Sequence, residues 1–415
     1  MCDRQAGAGG RYCVLKSRLS RGNENFKILK EGAIVFDKKI IEVCTFASAA
    51  RKYPQAEILD FSGDIAMPAF INPHVHLEFS ANKGTLRYGD FLDWLGSVIA
   101  SRQQLDAAAR GRLIAEQIAA MMRSGVGTIG EISSFGGEAE ACAQSGIRTV
   151  FFNEILGASR DAAAENISKF KERFERSKAL ASSLFIPAVS VHSPYSAHPQ
   201  ITEFATKLAR ENGLAISTHF MESAYERQWL RTGRGKFKTW LAKFNPTPAP
   251  FYSPQSFVAH FSGLRTLFTH CVWVDDFSIF DPKLHSITHC ARSNRLLSKK
   301  RLSFKKLLAS GLNYNIATDG LSSNFSLSFL DELRANLMMH DELGLVDLAR
   351  ALILGATRNA AAALGLNLGE LKEGKLADIA VFEGIECDEA QLPLQLILQS
   401  KNAKSLFIEG MKCNF

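Results

Sequence analysis

A pair of histidines one residue apart is the clearest chemical signal in the sequence. His74 and His76 form a His-x-His motif at the end of an apolar run that begins at Met67. Side chains two residues apart on a β-strand point to the same face, so both imidazoles can bind one metal ion. A surface strand carries such a pair by chance often enough that the motif alone is weak. The apolar run before it favours a buried metal site.

Further candidate ligands stand at the ends of two other β-like runs, Ala215–His219 and Asn313–Asp319. Three neutral imidazoles and the Asp319 carboxylate suit zinc, or a similar divalent ion such as Fe²⁺, with one position left open for water. Such an ion lowers the pKa of bound water towards ~7 and so supplies hydroxide at neutral pH. A second ion would need a bridging anionic ligand. The run that ends at His192 offers no lysine or carboxylate there, so we predict a single divalent ion, with zinc favoured.

Two other side chains are candidates for proton transfer. Glu222 lies three residues beyond His219, where the β-like run gives way to a loop. A partly desolvated carboxylic acid beside metal-bound hydroxide can carry a proton to a substrate nitrogen and then to the leaving group. The alternative is a solvent-exposed loop residue. His270, at the end of another apolar run, is expected to hydrogen-bond the hydroxide or the tetrahedral centre. For His289 a loop-anchoring role and a catalytic role both stay open.

These side chains need a scaffold that brings strand ends together, and alternating β-like and helical stretches indicate one. The predicted strands are Ala69–His76, Thr128–Ser133, Thr149–Leu156, Phe185–His192, Ala215–His219, Thr266–Val272, Ser286–His289 and Asn313–Asp319. The predicted helices include Asp106–Arg123, Asp161–Ala181, Gln200–Asn212 and Phe329–His340. Alternation of this kind implies parallel strands with right-handed crossovers.

We therefore predict an α/β fold with a (β/α)8 TIM-type barrel. An open doubly wound sheet is the alternative, and it is weakened because no Gly-x-Gly-x-x-Gly opens the first helix. Six of the ten histidines fall at the C-terminal end of a predicted strand, which is the rim where barrel enzymes build their active sites.

The two ends of the chain are β-rich and predict a second unit. Residues 32–46 are expected to form a hairpin around Asp37–Lys39, and Leu376–Phe382 and Leu406–Ile408 are β-like. We expect residues 1–66 and 366–415 to form one composite β-sandwich and residues 67–365 to form the barrel. Met1–Arg11 is expected to be a loose tail.

Composition excludes several protein classes. The chain of 415 residues is 46% hydrophobic and 22% charged, which rules out a largely disordered protein. No apolar run is long enough for a membrane span, and the eight cysteines contain no Cys-x-x-Cys pair, so we expect a cytoplasmic protein with reduced thiols. The net charge of +7 slightly favours anionic small molecules over other partners. The basic run at 299–306 is interpreted as a solvated face and not as a nucleic-acid site, and a homo-oligomer stays open.

The motifs MPAFINPHVH, STHFMES, FTHCVWV, THCARSN and ATDGLSSN, in this order, resemble the metal-dependent amidohydrolase superfamily. Within it, the chain is most similar to the branch of adenosine-type deaminases and chlorohydrolases, and GKLADIAVFEG at 374–384 is similar to the closing sandwich strand of that family. The resemblance implies a (β/α)8 barrel with a β-sandwich from both termini. It also implies hydrolysis of a ring C–N bond in a purine nucleoside.

Carried over by position, the resemblance implies metal ligation by His74, His76, His219 and Asp319. It also implies roles for five side chains around the ion. Glu222 would be the proton shuttle, His270 and Asp319 would orient the nucleophile, and His192 and Trp94 would contact the nucleoside. The chain departs from the methylthioadenosine and adenosylhomocysteine deaminases at 101–104, where a sugar-binding glutamate is missing.

The stretch at 74–102 is most similar to the members that deaminate 6-amino-6-deoxyfutalosine on a route to menaquinone. That substrate resembles adenosine with a benzoate-bearing arm, and Arg160 is a candidate to bind the carboxylate; the alternative is an exposed residue at a helix start. Rivals are a methylthioadenosine or adenosylhomocysteine deaminase, a guanine, cytosine or chlorotriazine hydrolase, and a non-catalytic scaffold. A zinc deaminase of the base-editor type is rejected because no Pro-Cys-x-x-Cys follows His76-x-Glu78.

Overall fold

The computed structural model describes residues 12–20, 22, 26, 28–101 and 105–415, so the predicted tail at Met1–Arg11 lies outside the described residues. The N-terminal part of the chain forms four strands: β1 (Cys13–Ser20), β2 (Ile28–Phe36), β3 (Ile40–Thr45) and β4 (Glu57–Pro68). Strands β2 and β3 pair antiparallel, which confirms the predicted hairpin. The sequence did not reveal β1 and β4.

Eight parallel strands form the barrel within the described residues: β5 (Phe70–Val75), β6 (Val126–Ser133), β7 (Arg148–Ile155), β8 (Phe185–Val191), β9 (Ile216–Phe220), β10 (Thr266–His270), β11 (His285–His289) and β12 (Asn313–Ile316). Each of them overlaps one predicted strand, and the strands follow one another in chain order around the sheet. The segment after β12 closes the barrel onto β5, because the backbone N–H of Asp319 donates to the carbonyl of His74 at 3.1 Å. The predicted (β/α)8 barrel is confirmed.

The helices connect strands, and most of them cover the outer face of the barrel, whereas the first one, at 46–52, packs against β1, β2 and β3. They are α1 (Phe46–Lys52), α2 (Phe91–Ala100), α3 (Ala107–Arg123), α4 (Ala139–Gln144), α5 (Arg160–Ala179), α6 (Pro199–Asn212), α7 (Ala224–Thr232), α8 (Lys236–Leu241), α9 (Pro254–Ala259), α10 (Ala291–Ser298), α11 (Phe304–Ala309), α12 (Phe329–Met339), α13 (Leu345–Ala356), α14 (Arg358–Leu364) and α15 (Leu392–Gln399). Every residue of β6 and β7 is buried, as expected for parallel strands covered on both faces. In the described part of the chain, no helix combines the length and apolar character that a membrane span requires.

The remaining strands, β13 (Ile379–Phe382), β14 (Ala403–Ile408) and β15 (Met411–Lys412), join the N-terminal strands in one mixed sheet. Its order is β15-β14-β13-β4-β1-β2-β3, so both ends of the chain contribute to it, as predicted. The buried guanidinium of Arg148 on β7 binds Asp378 at 2.9 Å and Glu409 at 3.2 Å, which ties the barrel to this terminal sheet. The domain boundaries near 66 and 366 stay a prediction.

Candidate active site

Three histidines meet at the carboxyl-end rim of the barrel. His74 lies in β5, His76 follows that strand directly, and His219 lies in β9. One nitrogen from each ring lies within 4.8 Å of the other two, and the Nε2 atoms of His76 and His219 are 3.2 Å apart. All three side chains are buried. The fold therefore brings the predicted imidazole ligands together.

Asp319 completes this group from the segment that follows β12, the last strand of the barrel. Its Oδ1 atom lies 3.7 Å from Nε2 of His74 and 3.7 Å from Nε2 of His76. The hydroxyls of Ser293 and Ser323 donate to Oδ2 at 2.7 and 2.6 Å, which fixes the carboxylate plane. Asp319 has a φ of 58°, a conformation that residues other than glycine rarely adopt and that often marks functional sites.

The hydrogen-bonding pattern leaves Nε2 as the metal-facing atom of His74 and His219. Nδ1 of His219 donates to the carbonyl of His192 at 2.9 Å, and Nδ1 of His74 lies 3.2 Å from the Thr269 hydroxyl. Nε2 of His74 is buried without a hydrogen-bond partner among the described residues. A buried, unpaired acceptor next to two further imidazoles and a carboxylate fits a divalent cation.

The electrostatics agree with this donor set. Burial lowers the pKa of His74, His76 and His219, which keeps the rings neutral and able to bind a metal ion. Burial raises the pKa of Asp319, but the neighbouring imidazoles lower it by a larger amount. The pKa of Asp319 therefore lies well below its usual range. Neutral imidazoles with one ionised carboxylate are typical zinc ligands.

Glu222 lies in the loop after β9 and is buried, so the alternative of a solvent-exposed loop residue is wrong. Its Oε1 atom is 3.5 Å from Nε2 of His270. Burial, followed by the charges of Asp319 and Glu226, raises the pKa of Glu222 well above its usual value. The Glu226 carboxylate accepts the backbone N–H groups of Met221 and Glu222, both at 2.9 Å, and so fixes this loop. Burial and these charges therefore favour the protonated form of the Glu222 carboxyl.

His270 ends β10 and turns its Nε2 atom towards the acidic groups. Nδ1 donates to Oδ1 of Asn294 at 2.9 Å, and Nε2 lies 3.5 Å from Glu222 and 4.0 Å from Asp319. His270 also has a positive φ, 73°. The Asn294 bond selects the tautomer in which Nε2 is free to accept a proton or a hydrogen bond.

His289 is linked to His270 through Asn294, which bonds both rings. Its Nδ1 accepts from Nδ2 of Asn294 at 3.3 Å, and its Nε2 lies 2.9 Å from Nε2 of His340. Both of its ring nitrogens are thus engaged within the protein, and it does not line the cavity described next. Of the two roles left open by the sequence, this geometry favours the anchoring one.

A cavity of about 600 Å³ opens onto His76, His219, His270, Glu222 and Asp319. Two of the predicted nucleoside contacts line it. Trp94, on α2, donates its indole N–H to the carbonyl of Ser322 at 2.7 Å, so its ring forms a fixed wall. Nδ1 of His192 lies 2.5 Å from the hydroxyl of Ser196, and burial lowers the pKa of His192 to about 4, which keeps the ring neutral.

The third predicted contact, Arg160, does not line this cavity. Arg160 is the exposed first residue of α5, so its side chain is directed to solvent rather than to the site. Lys169 and Arg173, farther along the same helix and one turn apart, are the cations of α5 that line the cavity. The sequence pattern missed them because a helix in this position is expected to be an outer, solvated element.

Glu154 is a further cavity residue that sequence reasoning missed. It lies near the end of β7, next to the barrel rim, and is almost fully buried. Its Oε1 atom is 3.6 Å from Nδ1 of His219. The strand-end criterion that selected the histidines would have found this residue if it had also been applied to carboxylates.

The strand ends of this barrel bring three histidines, an aspartate and a buried glutamate together at one cavity. This arrangement defines a metal-dependent hydrolase. Residues 65–412 match the model of the Amidohydrolase family, and the chain belongs to this family. The family is metal-dependent, in agreement with the donor set above.

Named relatives cover nearly the whole chain. The aminodeoxyfutalosine deaminase of a Nitratiruptor species is 39% identical over 388 residues, which are 92% of this chain and 95% of the relative. An adenosine deaminase of Helicobacter pylori is 35% identical over 94% of this chain and 96% of its own length. The crystal structure of Helicobacter pylori aminofutalosine deaminase in complex with methylthio-coformycin has a TM-score of 0.91, with 34% identity over 97% of this chain and 100% of that chain.

Proposed function

We propose that this chain is a hydrolytic deaminase that converts an adenine nucleoside derivative to its hypoxanthine form and releases ammonia. The observation that carries the proposal is the buried Glu222 carboxyl, 3.5 Å from His270 and beside Asp319. An amino group leaves an aromatic ring poorly unless a ring nitrogen is protonated first, and a buried carboxylic acid is suited to that step. The names of the two curated relatives and of the crystal structure support the same reaction class.

We propose His74, His76, His219 and Asp319 as the residues that hold one divalent ion, with zinc favoured by three nitrogen donors and one oxygen donor. The chemistry that such an ion supplies when bound is activation of a water molecule as a nucleophile. Fe²⁺ suits the same donors and is the alternative.

The side chains of the protein then manage the protons of the reaction. Glu222 donates its proton to the ring nitrogen next to the reacting carbon, which makes that carbon more electrophilic. His270, whose Nε2 faces Glu222 and Asp319, accepts a hydrogen bond from the nucleophile and orients it. The oxygen of the water nucleophile bonds to that carbon, Glu222 takes one proton of the water and passes it to the amino group, and the C–N bond breaks to release ammonia. The second proton of the water returns to Glu222 as the carbonyl forms, so that the carboxyl is protonated again.

We propose 6-amino-6-deoxyfutalosine as the substrate. The cavity of about 600 Å³ exceeds the need of a bare nucleoside, and Lys169 and Arg173 line it as cations suited to the carboxylate of a benzoate arm. The alternative is a smaller substrate such as adenosine or methylthioadenosine, which the name of the 35% identical relative favours. No disulfide joins the described cysteines, in keeping with our further proposal of a cytoplasmic enzyme.

Release of ammonia from a panel of substrates, with release of chloride measured for the chlorotriazine, tests this proposal. The panel contains aminodeoxyfutalosine, adenosine, methylthioadenosine, adenosylhomocysteine, guanine, cytosine and a chlorotriazine. We expect the highest kcat/KM for aminodeoxyfutalosine and none for guanine, cytosine or the triazine. Exclusive activity on one of those three rings would contradict the proposal, and absence of activity on the whole panel from metal-loaded protein would favour the non-catalytic scaffold.

A further inference from the structure

Glu154 has one carboxylate oxygen that no group in the described part of the chain satisfies. The residue is 2% exposed and lines the cavity. Its Oε2 atom accepts the hydroxyl proton of Ser134 at 2.7 Å, whereas its Oε1 atom is buried without a hydrogen-bond partner. Buried acceptors are almost always paired, and leaving one unpaired is costly. The free oxygen therefore calls for a donor that comes from outside the chain.

The nearest ring nitrogen cannot be that donor. Nδ1 of His219 lies 3.6 Å from Oε1 of Glu154, beyond hydrogen-bond distance. The single proton on that nitrogen already goes to the carbonyl of His192 at 2.9 Å. Glu154 is thus not the carboxylate that orients this imidazole, and its Oε1 atom stays available to a ligand.

Two neighbouring glutamates, the partly buried Glu78 and the buried Glu131, provide a contrast. Glu78 accepts the backbone N–H groups of Ser134 and Phe135 at 3.1 and 3.2 Å, and Glu131 accepts that of Leu77 at 2.9 Å. Neither of them lines the cavity. Among Glu78, Glu131 and Glu154, only Glu154 faces the cavity with an unpaired oxygen. Its backbone is held as well, since Arg173 donates to its carbonyl.

A second metal ion does not explain this oxygen. Glu154, His192 and His219 do have ligand atoms within 4.8 Å of one another. However, Nδ1 of His192 already lies 2.5 Å from the Ser196 hydroxyl, and Nε2 of His219 belongs to the first group of ligands. Only Oε1 of Glu154 and Nε2 of His192 remain, and two atoms cannot enclose an ion. A neutral hydroxyl donor therefore fits Oε1 of Glu154 better.

We infer that Glu154 binds the ribose of the substrate by accepting a hydrogen bond from a hydroxyl of its cis-diol. The inference rests on the proposed function, because a nucleoside must occupy the cavity. Glu154 shares the cavity with His192 and lies close to a metal-ligand histidine, so a sugar attached to the reacting ring falls within its reach. A site built to bind a hydroxyl discriminates strongly against the ligand that lacks it, since the buried acceptor is then left unpaired.

Calorimetric binding of a deaminase inhibitor and its deoxy forms tests the inference without turnover. The metal-loaded protein and its Glu154→Gln variant would each be titrated with coformycin, 2′-deoxycoformycin and 3′-deoxycoformycin. We expect at least one deoxy form to bind the unchanged protein about 10-fold or more weakly than coformycin, as for a hydrogen bond to a charged group. In Glu154→Gln this difference should fall below about 3-fold. Glu131→Gln, a buried glutamate outside the cavity, should keep the full difference.

The outcomes separate this inference from the proposed function. If coformycin binds tightly but both deoxy forms bind equally well, or if Glu154→Gln keeps the full difference, the inference fails and the deaminase assignment stands. If no coformycin binds and the substrate panel gives no ammonia, both fail. Should Glu154→Gln not fold, as judged by its melting temperature and metal content, Glu154→Asp replaces it, because the shorter chain withdraws the oxygen but keeps the charge.

Discussion

The Nε2 atoms of His76 and His219 lie 3.2 Å apart, although the two residues are separated by 143 positions in the chain. Two unprotonated nitrogens at this distance repel each other unless a cation or a proton lies between them. Oδ1 of Asp319 lies 3.7 Å from the same atom of His76, which adds a negative charge at that point. A bound cation would stabilise this arrangement, and this is the basis of the chemistry proposed above.

Replacement of Glu222 by glutamine tests its role as the proton carrier. The amide keeps the shape of the side chain but cannot donate an acidic proton to the ring nitrogen. We expect turnover to fall by about two orders of magnitude or more, with metal content unchanged. Steady-state ammonia release together with metal analysis checks this, and full activity in Glu222→Gln would remove Glu222 from the mechanism.

The hydrogen bond from His270 to Asn294 should matter for turnover. In Asn294→Ala the ring of His270 loses the partner that selects its tautomer, and we expect kcat to fall about 10- to 100-fold. Asn313→Ala is the matched control, because Asn313 binds Ser286 at the opposite end of the barrel strands. Equal losses of kcat in the two variants would show that the effect reflects stability alone.

Charge removal along α5 should alter the choice of substrate. We expect Arg173→Gln to lower kcat/KM for aminodeoxyfutalosine about 10-fold more than for adenosine, because only the former carries a carboxylate. Lys169, which is largely exposed and paired with Glu165, should have a smaller effect of about 2- to 5-fold in Lys169→Gln.

Arg160→Gln is the control for this pair of variants, since Arg160 is exposed outside the cavity. Its substrate preference should match that of the unchanged protein. A loss of discrimination in Arg160→Gln, with none in Arg173→Gln, would restore the prediction made from the sequence and refute the structural one.

Glu226 should make the stability of the protein depend on pH. Burial raises its pKa from 4.5 to about 7, so the folded state binds this proton more tightly than the unfolded state. The resulting stabilisation is complete below pH 4.5 and is lost as the pH rises to 7, by about 3 kcal/mol in total. Urea unfolding of the protein and of Glu226→Gln across this range checks the difference, which should decline with rising pH. A constant difference would show that Glu226 does not titrate there.

Much of the fold and site could be predicted because both depend on short-range patterns. Buried parallel strands are apolar runs of about five to eight residues, and the eight barrel strands overlap their predicted ranges. Because the carboxyl ends of these strands meet at one rim, His74, His219 and Asp319 could be grouped without knowledge of their distances. The same reasoning placed Glu222 next to that group.

The other site residues depend on tertiary contacts, which the sequence pattern does not contain. Arg173 reaches the cavity because α5 presents one face to it, and helical periodicity alone does not say which cation of a solvated helix turns inward. Asn294 matters through its bonds to His270 and His289, which come from two different strands. The significance of Glu154 emerges only when its hydrogen bonds are counted and one oxygen is left over.

The most direct test of the central claim is the metal content of the purified protein, measured together with its deaminase activity. We predict about one divalent ion per chain, loss of both the ion and the activity in His76→Ala, and recovery of activity when the chelated protein is reloaded with zinc. His198→Ala, which removes a histidine outside the ligand group, should keep both. A His76→Ala protein that retains its metal ion and its full rate of ammonia release would contradict the account.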